Sequence, residues 1–171
     1  KSKEIRDKLA KDFRVELDDR ETYSVGYKFN DWEMRGVPVR IELGPRDIEA
    51  GQAVFVFRHD GQKRSVPLKG INKALGETLE SIHASMLKKA VEARESRTSV
   101  ALSLDEFETK INEKQGFVKA MWCGSRECEE KIGDRTGATA RCIPFDQEKF
   151  SDKCVCCGGH AETMVYFARS Y

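Results

Sequence analysis

Apolar residues recur four apart at Ile5, Leu9 and Phe13 with charged residues between them, a spacing that predicts one face of a helix at the start of the chain. From Phe13 the period drops to two. Phe13, Val15 and Leu17 alternate with Arg14, Glu16 and Asp18, which predicts a strand over FRVELDDR. A helix feeding a strand reads as a βαβ unit lacking its first strand, so the chain is expected to be part of a longer protein. Beyond the punctuating Gly26 and Gly36, VPVRIELG (Val37 to Gly44) alternates again, and GQAVFVFRHDGQKRSVPL reads as a hairpin turning at Asp60-Gly61. Ile71, Leu75, Leu79, Ile82, Met86 and Ala90 then follow at spacings of three and four. They predict one long amphipathic helix from Ile71 to about Arg97, with its stripe packed in a core.

After that helix the pattern restarts. TSVALS reads as a strand, Ser103 and Glu106 spell a capping box before the helix LDEFETKINEKQ, and GFVKAMWC reads as a further strand. At the end, Met164, Tyr166 and Ala168 alternate with Val165 and Phe167, a strand apolar on both faces. Strands interleaved with helices define an α/β (α+β) chain with a mixed-sheet first domain, incomplete at its N-terminus, and a small second domain. The charged EARESRTS after the long helix sets the expected boundary, giving domains 1–97 and 98–171.

Composition narrows what these domains can do. With 171 residues, 39% of them hydrophobic, there is room for one ordinary domain or two small ones. Thirty Lys and Arg against 29 Asp and Glu leave a net charge of +1, which excludes a basic arm that grips nucleic acid by bulk charge. A nucleic-acid site must then be a local patch. From Arg35 to Lys73 there are eight Lys or Arg against four Asp or Glu, an excess suited to phosphates. No apolar run approaches the ~20 residues that span a bilayer, and KSKEIRDKLAKDFRV lacks the apolar core of a secretory signal, so the chain reads as soluble and cytoplasmic, without a membrane partner.

The six cysteines, at 123, 128, 142, 154, 156 and 157, all lie in the last third of the chain. Clustered thiols in a cytoplasmic setting favour metal over disulfides. Cys123 and Cys128 form one pair, and Cys154 and Cys157 form the other with the C-x2-C spacing of a tight metal-binding turn. Gly124, Gly158 and Gly159 offer the positive φ such turns need. Cys156 is then expected to point away, Cys142 to be a small buried hydrophobe in ARCIPF, and His160 to be solvated. Four thiolates close the coordination sphere, so the expected zinc is structural.

LDDRETYSVGYKFNDWEMRGVPVRIELGPRDIEAGQAVFVFR resembles the anticodon-binding domain of a subgroup of class II aminoacyl-tRNA synthetases. KFNDWEMRGVPVRIELGPRD resembles most closely the prolyl-tRNA synthetases of the eukaryote-like, archaeal type. WCGSRECEEKI, ATARCIPFD, KCVCCG and the terminal FARSY look like motifs of the C-terminal zinc domain of that type, in the family order. The resemblance implies that Phe29 and Glu33 on a helix, Arg40 on a strand, and Arg46 and Asp47 in a loop contact the anticodon of proline tRNA. Proline anticodons share two adjacent guanines. A Glu33 carboxylate suits guanine N1–H and N2–H, Arg40 suits O6 or N7, and Phe29 or Trp32 suits stacking on an unpaired base.

By the same resemblance, the α-carboxylate of Tyr171 approaches a catalytic domain of the same chain. No class II ATP-binding segments are present, so the residues here supply tRNA selection and support, and no catalytic group. The parent enzyme, a homodimer, would make prolyl-adenylate from proline and ATP with Mg and transfer the prolyl group to tRNA(Pro). From the residues alone, Glu33 and Arg40 also read as a surface ion pair, and Phe29 and Trp32 as core residues. The cysteine-rich half alone also admits two rival readings, a zinc-ribbon interaction module unrelated to translation and a thiol redox protein using Cys154, Cys156 or Cys157.

Overall fold

The computed structural model of the chain describes residues 1–113 and 116–170. They divide into two compact units, Lys1–Lys88 and Lys89–Tyr171. No helix among the described residues is long and apolar enough to cross a membrane.

In the first unit, α1 (Ser2–Leu9) is followed by α2 (Val25–Met34), β1 (Val39–Glu42), α3 (Pro45–Glu49), β2 (Gln52–Phe57), β3 (Lys63–Pro67) and α4 (Ile71–Ser96), whose residues from Lys89 onward belong to the second unit. Its three strands form an antiparallel sheet in the order β1-β2-β3, with Ile41 opposite Phe55 and Ala53 opposite Val66. Leu9, Ala53, Phe55, Val66, Ile71 and Leu75 make the buried core between this sheet and the helices. The stripe of α4 is buried through Ile82, whereas Met86 is half exposed and Ala90 exposed, so only the first half of the expected stripe serves this core.

The expected strand over FRVELDDR is not formed. Phe13, Val15 and Leu17 are half-buried and Arg14 and Glu16 exposed, so the alternation is present, but the segment pairs with no strand among the described residues. Without a ladder partner, alternation yields only an extended segment laid on the core. Gly26 lies inside α2 instead of ending an element. Arg46 and Asp47 lie in the short helix α3 instead of a loop, because Pro45 pre-sets its first turn and the Asp47 carboxylate accepts from the Gly44 N–H at 2.9 Å.

The second unit contains β4 (Thr98–Ala101), α5 (Leu104–Glu113), β5 (Phe117–Trp122), α6 (Arg126–Thr136), β6 (Ala138–Cys142) and β7 (Thr163–Arg169). Its mixed sheet runs β4-β5-β7-β6, parallel between β4 and β5 and antiparallel elsewhere. The Ser103 hydroxyl accepts from the Glu106 N–H at 3.3 Å, and the Glu106 carboxylate takes the Leu102 N–H at 2.8 Å. That pair caps α5 one residue earlier than the usual box. The last two residues of the expected helix, Lys114 and Gln115, lie outside the described residues, as does Tyr171. Phe107 of α5 meets Phe167 of β7 edge to face at 5.5 Å in a core shared with Val118, Ile132 and Val165. The central strand β7 is packed on both faces, as its apolar alternation requires: Met164, Val165, Phe167 and Ala168 are all buried.

Candidate functional site

Two constellations carry chemistry, one in each unit. In the first, α2 and β1 bring Phe29, Glu33 and Arg40 together. The Arg40 guanidinium lies 3.8 Å from the centre of the Phe29 ring and donates through Nη1 to Glu33 Oε1 at 2.5 Å and through Nε to Glu42 Oε1 at 3.1 Å. Lys63 pairs with the other Glu42 oxygen at 3.3 Å. The ion pair between Glu33 and Arg40 that the sequence allowed is thus formed. It uses one Glu33 oxygen and one of the five N–H donors of Arg40, and a second donor goes to Glu42. Glu33 keeps about half its side chain in solvent, at 46% exposure.

Arg46 is exposed on α3, and Asp47 is engaged as the helix cap with Gln52 at 3.5 Å from its second oxygen. Trp32 is not a free stacking surface. Its indole N–H donates to Asp18 Oδ2 at 2.8 Å and the Arg35 guanidinium lies 4.9 Å from its ring.

Sequence reading missed the group beside this face. Arg20 forks onto Asp18 through Nε at 2.9 Å and Nη2 at 2.7 Å, and the same Nη2 reaches Asp31 Oδ2 at 2.9 Å. The Arg20 bonds, with further help from the Trp32 N–H, hold Asp18 well below the usual carboxylate range despite its partial burial. Arg20, and then Arg35, lower Asp31 in the same way. The only signal in the sequence was the Asp18-x-Arg20 spacing with Asp31 eleven residues on, and charged residues in a loop carry no periodicity to draw the eye.

In the second unit the Sγ atoms of Cys123, Cys128, Cys154 and Cys157 all lie within 4.8 Å of one another. Cys123 and Cys128 sulfurs are 3.6 Å apart, and Cys123 and Cys157 3.9 Å. Cys123 directly follows β5 and Cys128 sits in the first turn of α6, so the x4 spacing spans a strand-to-helix corner fastened by the Trp122 indole N–H on the Ser125 carbonyl at 3.2 Å. Gly124 takes φ 84° at this corner, and Gly158 takes φ 71° after Cys157. The Gly158 N–H returns to the Cys154 carbonyl at 2.9 Å, and the Val155 N–H fixes the turn to Met121 at 2.9 Å.

Burial pushes the Cys154 thiol up, but the N–H groups of Cys157, Cys156 and Cys123 outweigh it and bring the thiol down to about 7. Burial, with the Cys157 and Cys123 thiols, pushes Cys128 far up. The backbone N–H groups thus favour the thiolate of Cys154, whereas burial disfavours that of Cys128. Four such sulfurs can hold a metal ion.

Cys156 is half-buried against neighbouring apolar residues and outside the set. Cys142 corrects the sequence reading: it is exposed, at the bulge that ends the edge strand β6, where the ladder register shifts. His160 is exposed and meets Glu162 at 3.2 Å.

The first unit thus offers a face of aromatic and paired charged side chains, and the second a four-cysteine centre. Residues 1–78 match the family model described as "Anticodon binding domain", and residues 104–171 match "Prolyl-tRNA synthetase, C-terminal". The chain is 51% identical over 171 residues to the proline–tRNA ligase of Clostridium botulinum (strain Loch Maree / Type A3), covering 100% of this chain and 36% of the relative. It is 51% identical over 166 residues to proline–tRNA ligase 2 of Clostridioides difficile (strain 630), with 96% and 34% covered. It is 48% identical over 171 residues to the proline–tRNA ligase of Ruminiclostridium cellulolyticum, with 100% and 36% covered. The chain thus carries an anticodon-binding domain and a prolyl-tRNA synthetase C-terminal domain, is similar to these ligases along nearly all of its length, and spans about a third of the length of the curated relatives it matches.

Proposed function

We propose that the chain reads the anticodon of tRNA(Pro) for a proline-tRNA ligase, through Phe29, Glu33 and Arg40 with Arg46 and Asp47 at the margin. The observation that carries this reading is the Glu33–Arg40 pair stacked on Phe29, in the part that matches the anticodon-binding family. Side by side, a carboxylate and a guanidinium present acceptors next to donors. The Watson–Crick edge of guanine presents N1–H next to O6, so the pair is complementary to it without rearranging either side chain far. A base that stacks on the face of Phe29 covered by Arg40 must displace the guanidinium, which couples stacking there to the release of Arg40 donors.

In this reading the ligase activates proline with ATP and Mg in a catalytic domain of the same chain, and it acts as a cytoplasmic homodimer of the eukaryote-like, archaeal type. Domains 1–97 and 98–171 divide the work between RNA reading and support, and the carboxylate of Tyr171 reaches toward the catalytic domain. The metal is zinc. A tetrahedron with Zn–S of about 2.3 Å has edges of about 3.8 Å; two of the sulfur separations, 3.6 and 3.9 Å, fit it, and all lie within 4.8 Å. Cys123, Cys128, Cys154 and Cys157 fill its four positions, so it supplies cross-linking and no reactive water.

The test is titration of the protein with a proline anticodon stem-loop. Arg40→Ala should weaken binding by roughly five- to 150-fold, the equivalent of a lost base contact of ~1–3 kcal/mol. Unchanged affinity in a folded variant returns Glu33 and Arg40 to a surface ion pair.

A further inference from the structure

Helix α2 has no fully buried residue, and none of its side chains belongs to the core of the first unit among the described residues. A helix placed by core packing shows a buried stripe. This one is placed by polar contacts. Ser24 accepts from the Tyr27 N–H at 3.3 Å at its start, and Arg58 donates to the Glu33 carbonyl at 2.8 Å near its end. Its middle is held by Asp31 and Trp32, which are gripped by Arg20 and Asp18 from the preceding loop. Lys28 stands 3.8 Å from Asp18 on the same side, and Arg35 donates to the second Asp31 oxygen at 3.1 Å. Arg20 joins the two carboxylates of this group, and its guanidinium lies 5.0 Å from the Tyr23 ring.

Asp31 and Trp32 lie between Phe29 and Glu33 in sequence, so whatever fixes their azimuth fixes that of the residues facing Arg40. The lever is large. Rotating a helix by about 30° moves a side-chain tip at a radius of about 5–6 Å by about 3 Å. That displacement breaks both the 3.8 Å stack and the 2.5 Å ion pair.

We propose that Arg20 is a positioning residue for anticodon reading: by bridging Asp18 and Asp31 it sets the rotation of α2, and with it the presentation of Phe29 and Glu33 to the RNA. This rests on the anticodon reading above. Arg20 touches no base in this scheme. It acts through Asp31 and through the Asp18–Trp32 bond, so the two should share a phenotype graded by how much of the clamp is lost.

The experiment uses the intact ligase and compares kcat/KM for tRNA(Pro) transcripts with the natural anticodon and with one anticodon guanine replaced. Arg20→Ala should raise KM for the natural transcript about tenfold, leave kcat within about twofold, and shrink the discrimination ratio about tenfold. Arg20→Lys keeps the charge but loses the fork, and it should rescue only part of the ratio. Trp32→Phe keeps the ring bulk, loses one bond to Asp18, and should shrink the ratio about threefold, which tests the clamp even if Arg20→Ala fails to fold.

A merely structural role would lower kcat for both transcripts together and spare the ratio. Arg40→Ala is the reference. A ratio lost in Arg40→Ala but intact in Arg20→Ala, or in Trp32→Phe if Arg20→Ala is unfolded, overturns the positioning role. A ratio intact in Arg40→Ala overturns the anticodon reading itself.

Discussion

Helix α2 in the first unit and the turn from Cys154 to Gly159 in the second both present side chains for binding, and they are held by different forces. The helix hangs on charged side chains: Arg20, Asp18, Asp31 and Arg58 fix it without one buried residue. The turn hangs on backbone, through Gly158 to Cys154 and Val155 to Met121, beneath buried Cys154 and Val155. A face fixed by ion pairs remains polar and can trade partners with an incoming RNA, at the expense of sensitivity to pH and salt. A turn that can hold a metal ion gains from rigidity, since every backbone bond in place beforehand is entropy not lost on binding.

The contrast is tested most severely by the metal. Cys154→Ser, or a strong chelator, should strip the ion and lower the melting temperature of the second unit by about 10 °C or more. Structural zinc is worth several kcal/mol, and about 1 kcal/mol shifts a domain of this size by about 4–8 °C. The first unit should keep its melting behaviour. Cys156→Ser should retain stoichiometric metal, measured by elemental analysis. Equal metal loss in both variants would replace the pairing of Cys154 with Cys157.

Acid should act on the other unit. The folded-state pKa of Asp18 is depressed, so its contribution is complete above the ordinary carboxylate value of about 3.9 and is lost as pH falls below that toward the folded value. The clamp should therefore be unchanged between pH 5 and 8 and weaken below about pH 4. Asp18→Asn removes this dependence. Its melting temperature should be lower at neutral pH and should fall less between pH 7 and pH 3 than that of the natural chain. Parallel curves for the two would mean that Asp18 is not paired as described.

The smallest effect belongs to Cys142→Ser. An exposed thiol at a strand-end bulge should alter stability by less than about 0.5 kcal/mol, and denaturant unfolding that shows a larger loss would indicate a buried role.

What the sequence disclosed follows the same division. The helix from Ile71 was legible almost to its last residue because Ile71, Leu75 and Ile82 must meet a core, and a core imposes a period. The four cysteines were legible because metal geometry imposes spacing. Helix α2 has neither constraint, and its clamp was invisible for that reason. Helix α6, RECEEKIGDRT, buries only Cys128, Ile132 and Thr136, too few to stand out among its charges. The alternation from Phe13 to Leu17 was read correctly as burial and wrongly as a strand, since a ladder partner is not written in the segment itself. Cys142 was misjudged because its apolar neighbours Ile143 and Phe145 are themselves exposed.

A double-mutant cycle joins these points in a single observable. Binding of the proline anticodon stem-loop is measured for the natural chain and for Arg40→Ala, each with the natural RNA and with one carrying adenine in place of an anticodon guanine. If Arg40 reads that guanine, the two changes are strongly non-additive, and the base substitution loses most of its effect once Arg40 is gone. Additive losses, with the guanine mattering as much to Arg40→Ala as to the natural chain, would mean that this face does not read the anticodon.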